Sequence, residues 1–263
     1  MYFDSHVHTK YSADSEMAGL DAYQAARNKG MGIVFTEHID FNYPGNRYNF
    51  SFDPAKYMDE YGALRGMYLL LGAEIGMGEE CLKEAEEFAG KAAFDVIVGS
   101  IHIVDGQDLY EKEFYEGKTK EQAYKRYLGL MKDMVEKNTY IDVLGHIDYI
   151  CRYAPYDDPA LNYDEFAPEI DAVLKAALAA NTILEINTRR FGDAKVRDEL
   201  KKIYARYHEL GGKFVTLASD AHTKETVGAY IPEAEALAKE CGLEPVIFYE
   251  RQLMPLSADA SGC

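Results

Sequence analysis

The 263-residue sequence contains no tryptophan, few prolines (eight) and only four cysteines. Cys81, Cys151, Cys241 and Cys263 lie far apart and form no Cys-x-x-Cys pair. Neither a disulfide framework nor a zinc ribbon is therefore expected, and a reducing cytoplasm fits. No stretch approaches the roughly 18 consecutive apolar residues of a membrane span, and the opening Met1-Tyr2-Phe3-Asp4 lacks the basic and apolar segments of a secretory signal. Internal repeats, linkers and low-complexity tracts are also missing. Positive charge is scarce: 28 Lys and Arg face 45 Asp and Glu, a net charge of −17. Such a surface repels nucleic-acid backbones and anionic headgroups, so neither is an expected partner, and an anionic substrate has to be captured by local positive charge. What is plentiful is apolar residues, at 48%, enough for a sizeable core. The expectation is a single domain over residues 1–263, with a frayed tail from Pro255 to Cys263.

Seven short apolar runs stand out: Tyr2–Phe3, Ile33–Phe35, Tyr68–Leu71, Val96–Val98, Ile141–Leu144, Ile183–Ile186 and Phe214–Leu217. Most are continuous rather than alternating, as parallel strands buried on both faces are. Helix-like stretches separate them: Glu16–Lys29, Glu79–Lys91, Thr119–Lys137, Asp164–Ala180, Asp193–Leu210 and Pro232–Cys241, several closed by glycine. Strand ends recur about every 36 residues, the span of a strand–helix unit. The pattern predicts an α/β fold, and by itself is compatible with a closed barrel or an open doubly wound sheet. The long connections Phe41–Ala55, Val104–Lys118 and Cys151–Asn162, rich in Tyr, Phe, Gly and charge, fit the walls of a pocket at the strand ends.

The histidines carry the chemistry. Six of seven follow the apolar runs: His6 and His8, His38, His102, His146 and His222; His208 sits alone within a helix. Acidic residues share these positions: Asp4, Asp14, Glu37, Glu74, Asp105, Asp148, Glu185 and Asp220. Parallel strands deliver their C-terminal ends to one face, so these side chains converge there. Neutral imidazole with carboxylate and no thiolate suits Zn, Mn or Fe, and six histidines exceed what one tetrahedral ion uses. His6 and His8, two apart on an extended segment, face the same way.

Asp4-Ser-His6-Val-His8-Thr9, Thr36-Glu37-His38, Gly72-Ala-Glu74, Gly99-Ser-Ile-His102, Gly145-His146 and Ser219-Asp220-Ala-His222, in this order, resemble the motifs of the PHP (polymerase and histidinol phosphatase) superfamily. The resemblance implies a distorted (β/α)7, TIM-like barrel with a trinuclear divalent-metal centre (Zn, Mn or Fe) at the C-terminal strand ends. By the family pattern His6, His8, Glu74 and Asp220 hold one ion, Glu74 bridges to a second held by His102 and His146, and His38, His222 and Asp14 hold the third. Asp14, where many relatives have histidine, is similar to the histidinol phosphatase branch. A hydroxide bridging two ions, held through Glu74, His102, His146 and Asp220, would be the nucleophile.

Phosphate monoesters resist attack because they are anionic and lose a poor leaving group; metal ions offset both difficulties. Arg189 and Arg190 after the sixth run are the expected phosphate clamp, with Arg152 and Lys10 as lesser candidates, and Asp148 or Glu37 as possible proton donors to the leaving group. The implied activity is a metal-dependent phosphatase acting on a small phosphorylated substrate, histidinol phosphate in histidine biosynthesis. A cationic ester of this kind would meet carboxylates such as Asp40 or Asp105, and Tyr-rich loops would pack on its ring. Rival expectations are a phosphatase or phosphodiesterase for nucleotides or sugar phosphates, an amidohydrolase-type C–N hydrolase, and a non-catalytic metal-stabilised binding module.

Overall fold

The computed structural model describes residues 1–45 and 48–256. Eleven strands run in the order β1 Phe3–Val7, β2 Gly32–Ile39, β3 Leu69–Gly76, β4 Val96–Ser100, β5 Ile103–Val104, β6 Gln107–Asp108, β7 Val143–Leu144, β8 Ile183–Asn187, β9 Phe214–Ala218, β10 Glu244–Tyr249 and β11 Gln252–Pro255. Helices α1 Gly19–Asn28, α2 Pro54–Tyr61, α3 Leu82–Ala89, α4 Lys120–Lys137, α5 Tyr163–Ala180, α6 Ala194–Glu209 and α7 Ile231–Glu240 connect them. The main sheet has the order β1-β2-β3-β4-β7-β8-β9-β10-β11, parallel up to β10, while β10 and β11 form an antiparallel hairpin. This is an α/β fold in which the seven expected parallel strands are joined by an eighth, β10.

Alternation along the strands sorts apolar side chains into two clusters. Phe3, Val34, Leu70, Val96, Val98, Val143 and Ile183 face inward with Val246 and Phe248 of β10, which plugs the floor. Ile33, Phe35, Leu71, Ile97, Leu184 and Val215 face outward and meet helix residues such as Ala22, Tyr57, Ala85, Leu128, Val173 and Ile203. The inward phase, continued by twos towards the strand ends, reaches His38 from Val34, Glu74 from Leu70 and His102 from Val98. In β1 a register shift between Asp4 and Val7 changes the phase, which turns His6 and His8 inward and Val7 outward.

The first parallel strand is hydrogen-bonded to the segment just after the seventh. Asp220 N donates to His6 O at 2.9 Å and His8 N to Ala221 O at 2.9 Å. Below this seam the buried Asp4 carboxylate accepts from Ser219 N (2.8 Å), Ser219 Oγ (2.5 Å) and Gly228 N (2.7 Å). Asp4 therefore fastens β1 to the segment after β9.

Several elements differ from the sequence expectation. Helix α2 is not among the expected helices and takes only Pro54 and Ala55 from the predicted connection Phe41–Ala55; the Asp53 side chain caps its first turn by accepting from Ala55 N at 3.0 Å, with Pro54 at its first position. The helix expected over Glu79–Lys91 begins as a 3₁₀ turn, Glu79–Cys81. Pro255 and Leu256 belong to or follow β11, with Leu256 packed on the inner cluster; the rest of the expected tail lies outside the described residues. Cys81, Cys151 and Cys241 are free and buried. Among the described residues no helix is long and apolar enough to cross a membrane.

Candidate metal centre

Glu74, fully buried at the inward end of β3, is the hub where the strand-end histidines meet. Its Oε2 lies 3.2 Å from His6 Nε2, 3.5 Å from His8 Nε2 and 2.9 Å from His38 Nδ1. Its Oε1 lies 2.9 Å from His146 Nε2 and 3.3 Å from His102 Nε2. Asp220 Oδ1 is 3.4 Å from His8 Nε2 and 3.6 Å from His222 Nδ1, and Asp14 Oδ2 is 3.1 Å from His222 Nε2 and 3.8 Å from His38 Nε2. All nine residues expected to ligate metal thus come together, although they span positions 6 to 222 of the chain.

His6 Nε2, His8 Nε2, His38 Nδ1, His102 Nε2 and Glu74 Oε2 are buried without a hydrogen-bond partner. Each such atom costs about 1–3 kcal/mol of lost solvation, a penalty that cations at their convergence points would remove. Three sets, His6/His8/Glu74, His38/Glu74/His102 and His8/His38/His222, have donor atoms all within 4.8 Å of one another. The arrangement fits metal binding, and its N/O donors suit borderline divalent ions.

Charge is finely divided here. Burial is the largest influence on Glu74 and would raise its pKa, but His6, His38 and His102 together hold it well below the usual range. Asp220 is likewise held low against burial, first by Arg152. For His6 burial favours the neutral ring, yet Glu185 and Glu74 outweigh it and push the pKa well up; Asp40 and Glu74 do the same for His102. His8 goes the other way, pushed well down by burial and by His38 and His222.

A second layer fixes the rings. Glu185 Oε2 accepts from His6 Nδ1 at 2.7 Å, while its Oε1 accepts from His146 N (3.2 Å) and Asn187 Nδ2 (2.8 Å). Ser12 Oγ donates to Glu37 Oε2 at 2.7 Å, so it accepts from His8 Nδ1 at 3.0 Å and from His38 N at 3.0 Å. Asp40 Oδ1 takes the Nδ1 proton of His102 at 2.9 Å. Each arrangement leaves Nε2 as the lone pair facing inward. A Cβ on Gly76 would fall 1.9 Å from Asp40 Oδ1, so glycine there lets Asp40 reach His102.

The three arginines part company. Arg152 is nearly buried; its Nη2 donates to Asp220 Oδ2 at 2.6 Å, and its Nε has no partner. Arg189, more exposed, donates to Asp220 O and lies 3.1 Å from His222 Nδ1. Arg190 instead pairs with Asp148 at 2.8 Å and lines a small cavity with Leu161, Val196 and Leu200, so the structure does not bring it to the histidines. That pairing also commits Asp148, and Glu37 is buried beneath Thr9 and Ser12. Lys10 pairs with Glu60 at 2.7 Å, and Asp105 pairs with Arg126 on the surface. His208 is exposed at the end of α6.

Beside the cluster opens a cavity of about 240 Å³ lined by Asp14, His38, Asp40, His102, Asp108 and the rings of Tyr43, Tyr48, Phe50, Tyr110, Tyr149 and Tyr153. One wall is a ladder from His38 to Phe50 (5.3 Å between centroids) to Tyr43 (4.8 Å). The other runs from His102 to Tyr149 (4.8 Å), Tyr153 (5.5 Å) and Tyr110 (5.1 Å). The three long connections supply all of these Tyr and Phe rings except Tyr149, which precedes the third. Sequence reasoning passed over Asp108 and Tyr149, and over Ser12; Asp108 follows Asp105-Gly106, a hairpin-turn dipeptide that signals a chain reversal back towards His102.

Comparison with known proteins agrees with this geometry. The sequence model of the PHP domain matches residues 4–189. The probable histidinol-phosphatase of Clostridium acetobutylicum is 44% identical, over 97% of this chain and 99% of that protein. The histidinol-phosphatase of Lactococcus lactis is 33% identical, over 91% of each. The crystal structure of histidinol phosphate phosphatase from L. lactis, complexed with zinc, L-histidinol and phosphate, superposes with a TM-score of 0.91 at 32% identity, covering 96% of this chain and 98% of that one.

Proposed function

The chain belongs to the PHP domain family, and from that premise we propose that it is a metal-dependent phosphatase that hydrolyses L-histidinol phosphate to L-histidinol and phosphate in the cytoplasm. The observation that carries the reading is the convergence of partnerless imidazole and carboxylate atoms at one end of an aromatic-walled cavity. His6, His8, Glu74 and Asp220 would hold one ion, Glu74, His102 and His146 a second, and His38, His222 and Asp14 a third. The two Glu74 oxygens, one turned to His6 and His8 and the other to His102 and His146, support a bridging role. Divalent ions in such a centre supply Lewis acidity towards the phosphoryl oxygens and a nucleophile at neutral pH.

The chain's own residues do the rest. Glu185, Ser12 and Asp40 hold the Nδ1 protons of His6, His8 and His102, so that each ring presents a lone pair. Arg152, with its partnerless Nε, and Arg189, beside His222, are the guanidinium groups next to the centre; they bind non-bridging phosphate oxygens and orient phosphorus for in-line attack. The aromatic ladders hold the organic half of the ester and limit the access of bulk water. Water adds to phosphorus, the P–O bond to the alcohol breaks, and the alcohol oxygen leaves with a proton.

The test is phosphate release by zinc-reconstituted protein from histidinol phosphate, nucleoside monophosphates and sugar phosphates, in parallel with the Glu74→Gln variant. Preferred hydrolysis of histidinol phosphate, lost in the variant, is expected. Absence of turnover, or preference for another ester, refutes the assignment.

A further inference from the structure

Within the cavity one carboxylate stands apart from the metal-site machinery. Asp14 Oδ2 faces His222 and His38, and Asp40 Oδ1 is committed to His102. Asp108 is the one lining carboxylate, among the described residues, that pairs with no histidine. It is placed by a small hairpin: after His102 the chain enters β5, reverses through Asp105 and Gly106, both at positive φ (54° and 72°), and returns as β6 with Asp108 opposite Ile103. Leu109 N donates to His102 O at 3.0 Å, tying the returning strand to the centre.

Asp108 is only 6% exposed. Tyr43 Oη donates to its Oδ2 at 2.6 Å and Tyr110 N to its Oδ1 at 2.8 Å. Those two donors leave further acceptor capacity on an anion that can take about four hydrogen bonds. They also bind Asp108 to the outer end of each aromatic ladder, Tyr43 on one wall and Tyr110 on the other. No Lys or Arg lies among the described residues lining the cavity. His38, His102 and Asp14 of the metal centre thus share one cavity with an anion framed by π faces, a setting that favours a compact organic cation.

We infer that Asp108, positioned by Tyr43, is the specificity residue that receives the substrate's ammonium group, while the two ladders clasp its flat ring. This deepens the proposed reading and rests on it: histidinol phosphate carries an amine and an imidazole on the leaving alcohol. Asp108 selects among phosphomonoesters by charge, and takes no part in breaking the P–O bond.

The experiment compares kcat/KM of the zinc-loaded enzyme for histidinol phosphate and for 3-(imidazol-4-yl)propyl phosphate, which lacks the amine. The parent enzyme should favour the amine-bearing ester by about 10- to 100-fold, the scale of a charge-assisted hydrogen bond in a buried site. Asp108→Asn should bring that ratio close to one, with the loss on histidinol phosphate mainly in KM, and Tyr43→Phe should give an intermediate ratio. Binding of histidinol against its deaminated alcohol, by calorimetry, gives the same comparison without turnover, and zinc content shows whether each variant is assembled. A parent enzyme that discriminates while Asp108→Asn and Tyr43→Phe, both fully metal-loaded, keep the same ratio overturns the assignment of Asp108. A parent enzyme inactive on both esters, yet active on another phosphomonoester, overturns the substrate reading and this inference with it.

Discussion

Replacing Glu185 by glutamine separates the charge of the second layer from its shape. The wild-type carboxylate is fully buried and held as an anion: burial, the largest influence, opposes ionisation, but His6 overcomes it. Its Oε1 serves His146 N and Asn187 Nδ2, and its Oε2 serves His6 Nδ1 at 2.7 Å. In the variant the amide oxygen has to stay with His146 N and Asn187, so the amide NH₂ is turned on His6 Nδ1. That donor displaces the Nδ1 proton, moves it to Nε2 and removes the lone pair aimed at Glu74 and the metal. Loss of an orienting carboxylate of this type costs about 10- to 100-fold in metal affinity or activity, or about 1.4–2.7 kcal/mol. Zinc affinity is read by competition with a chromophoric chelator on the metal-free variant, alongside kcat/KM at saturating zinc. Zinc affinity and kcat/KM both within twofold of wild type would refute the orienting role, and a variant equally defective towards denaturant with its zinc affinity intact would assign Glu185 to packing alone.

Other perturbations give distinct outcomes. Gly76→Ala should cost at least about tenfold in zinc affinity by displacing Asp40 from His102, whose Oδ1 the new Cβ would overlap; competition titration checks it. Against burial, Glu185 and Glu74 push the His6 pKa up and Asp40 and Glu74 that of His102, whereas ligation needs the neutral rings. Zinc binding should therefore release protons and strengthen as pH rises, which calorimetry in buffers of different ionisation enthalpy measures; proton uptake on binding would contradict it. Burial pushes the Cys151 thiol up to about 12 and the Cys81 thiol up to about 11, so neither should be alkylated by iodoacetamide at pH 8 until the chain unfolds, as peptide mapping will report. Stripping metal with a chelator should lower the melting temperature and abolish phosphate release, both restored by zinc.

The metal donors were legible because their signal is a conjunction: an apolar run, then histidine or carboxylate, repeated at strand–helix intervals. His38, Glu74 and His102 follow from the alternation that sets the inward apolar residues, and His6 and His8 from their spacing. The rest was hidden for identifiable reasons. Helix α2 buries Tyr57 and Tyr61, so its apolar face is spelled in tyrosine; only Asp53-Pro54 marked its start. The β10–β11 hairpin turns through Glu250 and Arg251, both at positive φ (50° and 64°), a reversal usually announced by Asn or Gly. Arg189 and Arg190 are neighbours with the same side chain, and only the position of Asp148 decides that Arg190 turns aside. Glu185 serves a ring from a distant segment, and Ser12 is turned towards His8 by its bond to Glu37 on the neighbouring strand, relations that exist only once the strands are side by side.

The seam between the first strand and the segment after β9 sets a timetable for biosynthesis. His6 leaves the ribosome more than two hundred peptide bonds before the backbone it pairs with, at Asp220 and Ala221. Until then the amino-terminal histidines have no permanent neighbours on that flank, and Glu74 has only part of its company. His6 and His8 therefore meet Asp220 and His222 only once those residues have been made, and a chain truncated before residue 219 should bind zinc more weakly than the full chain.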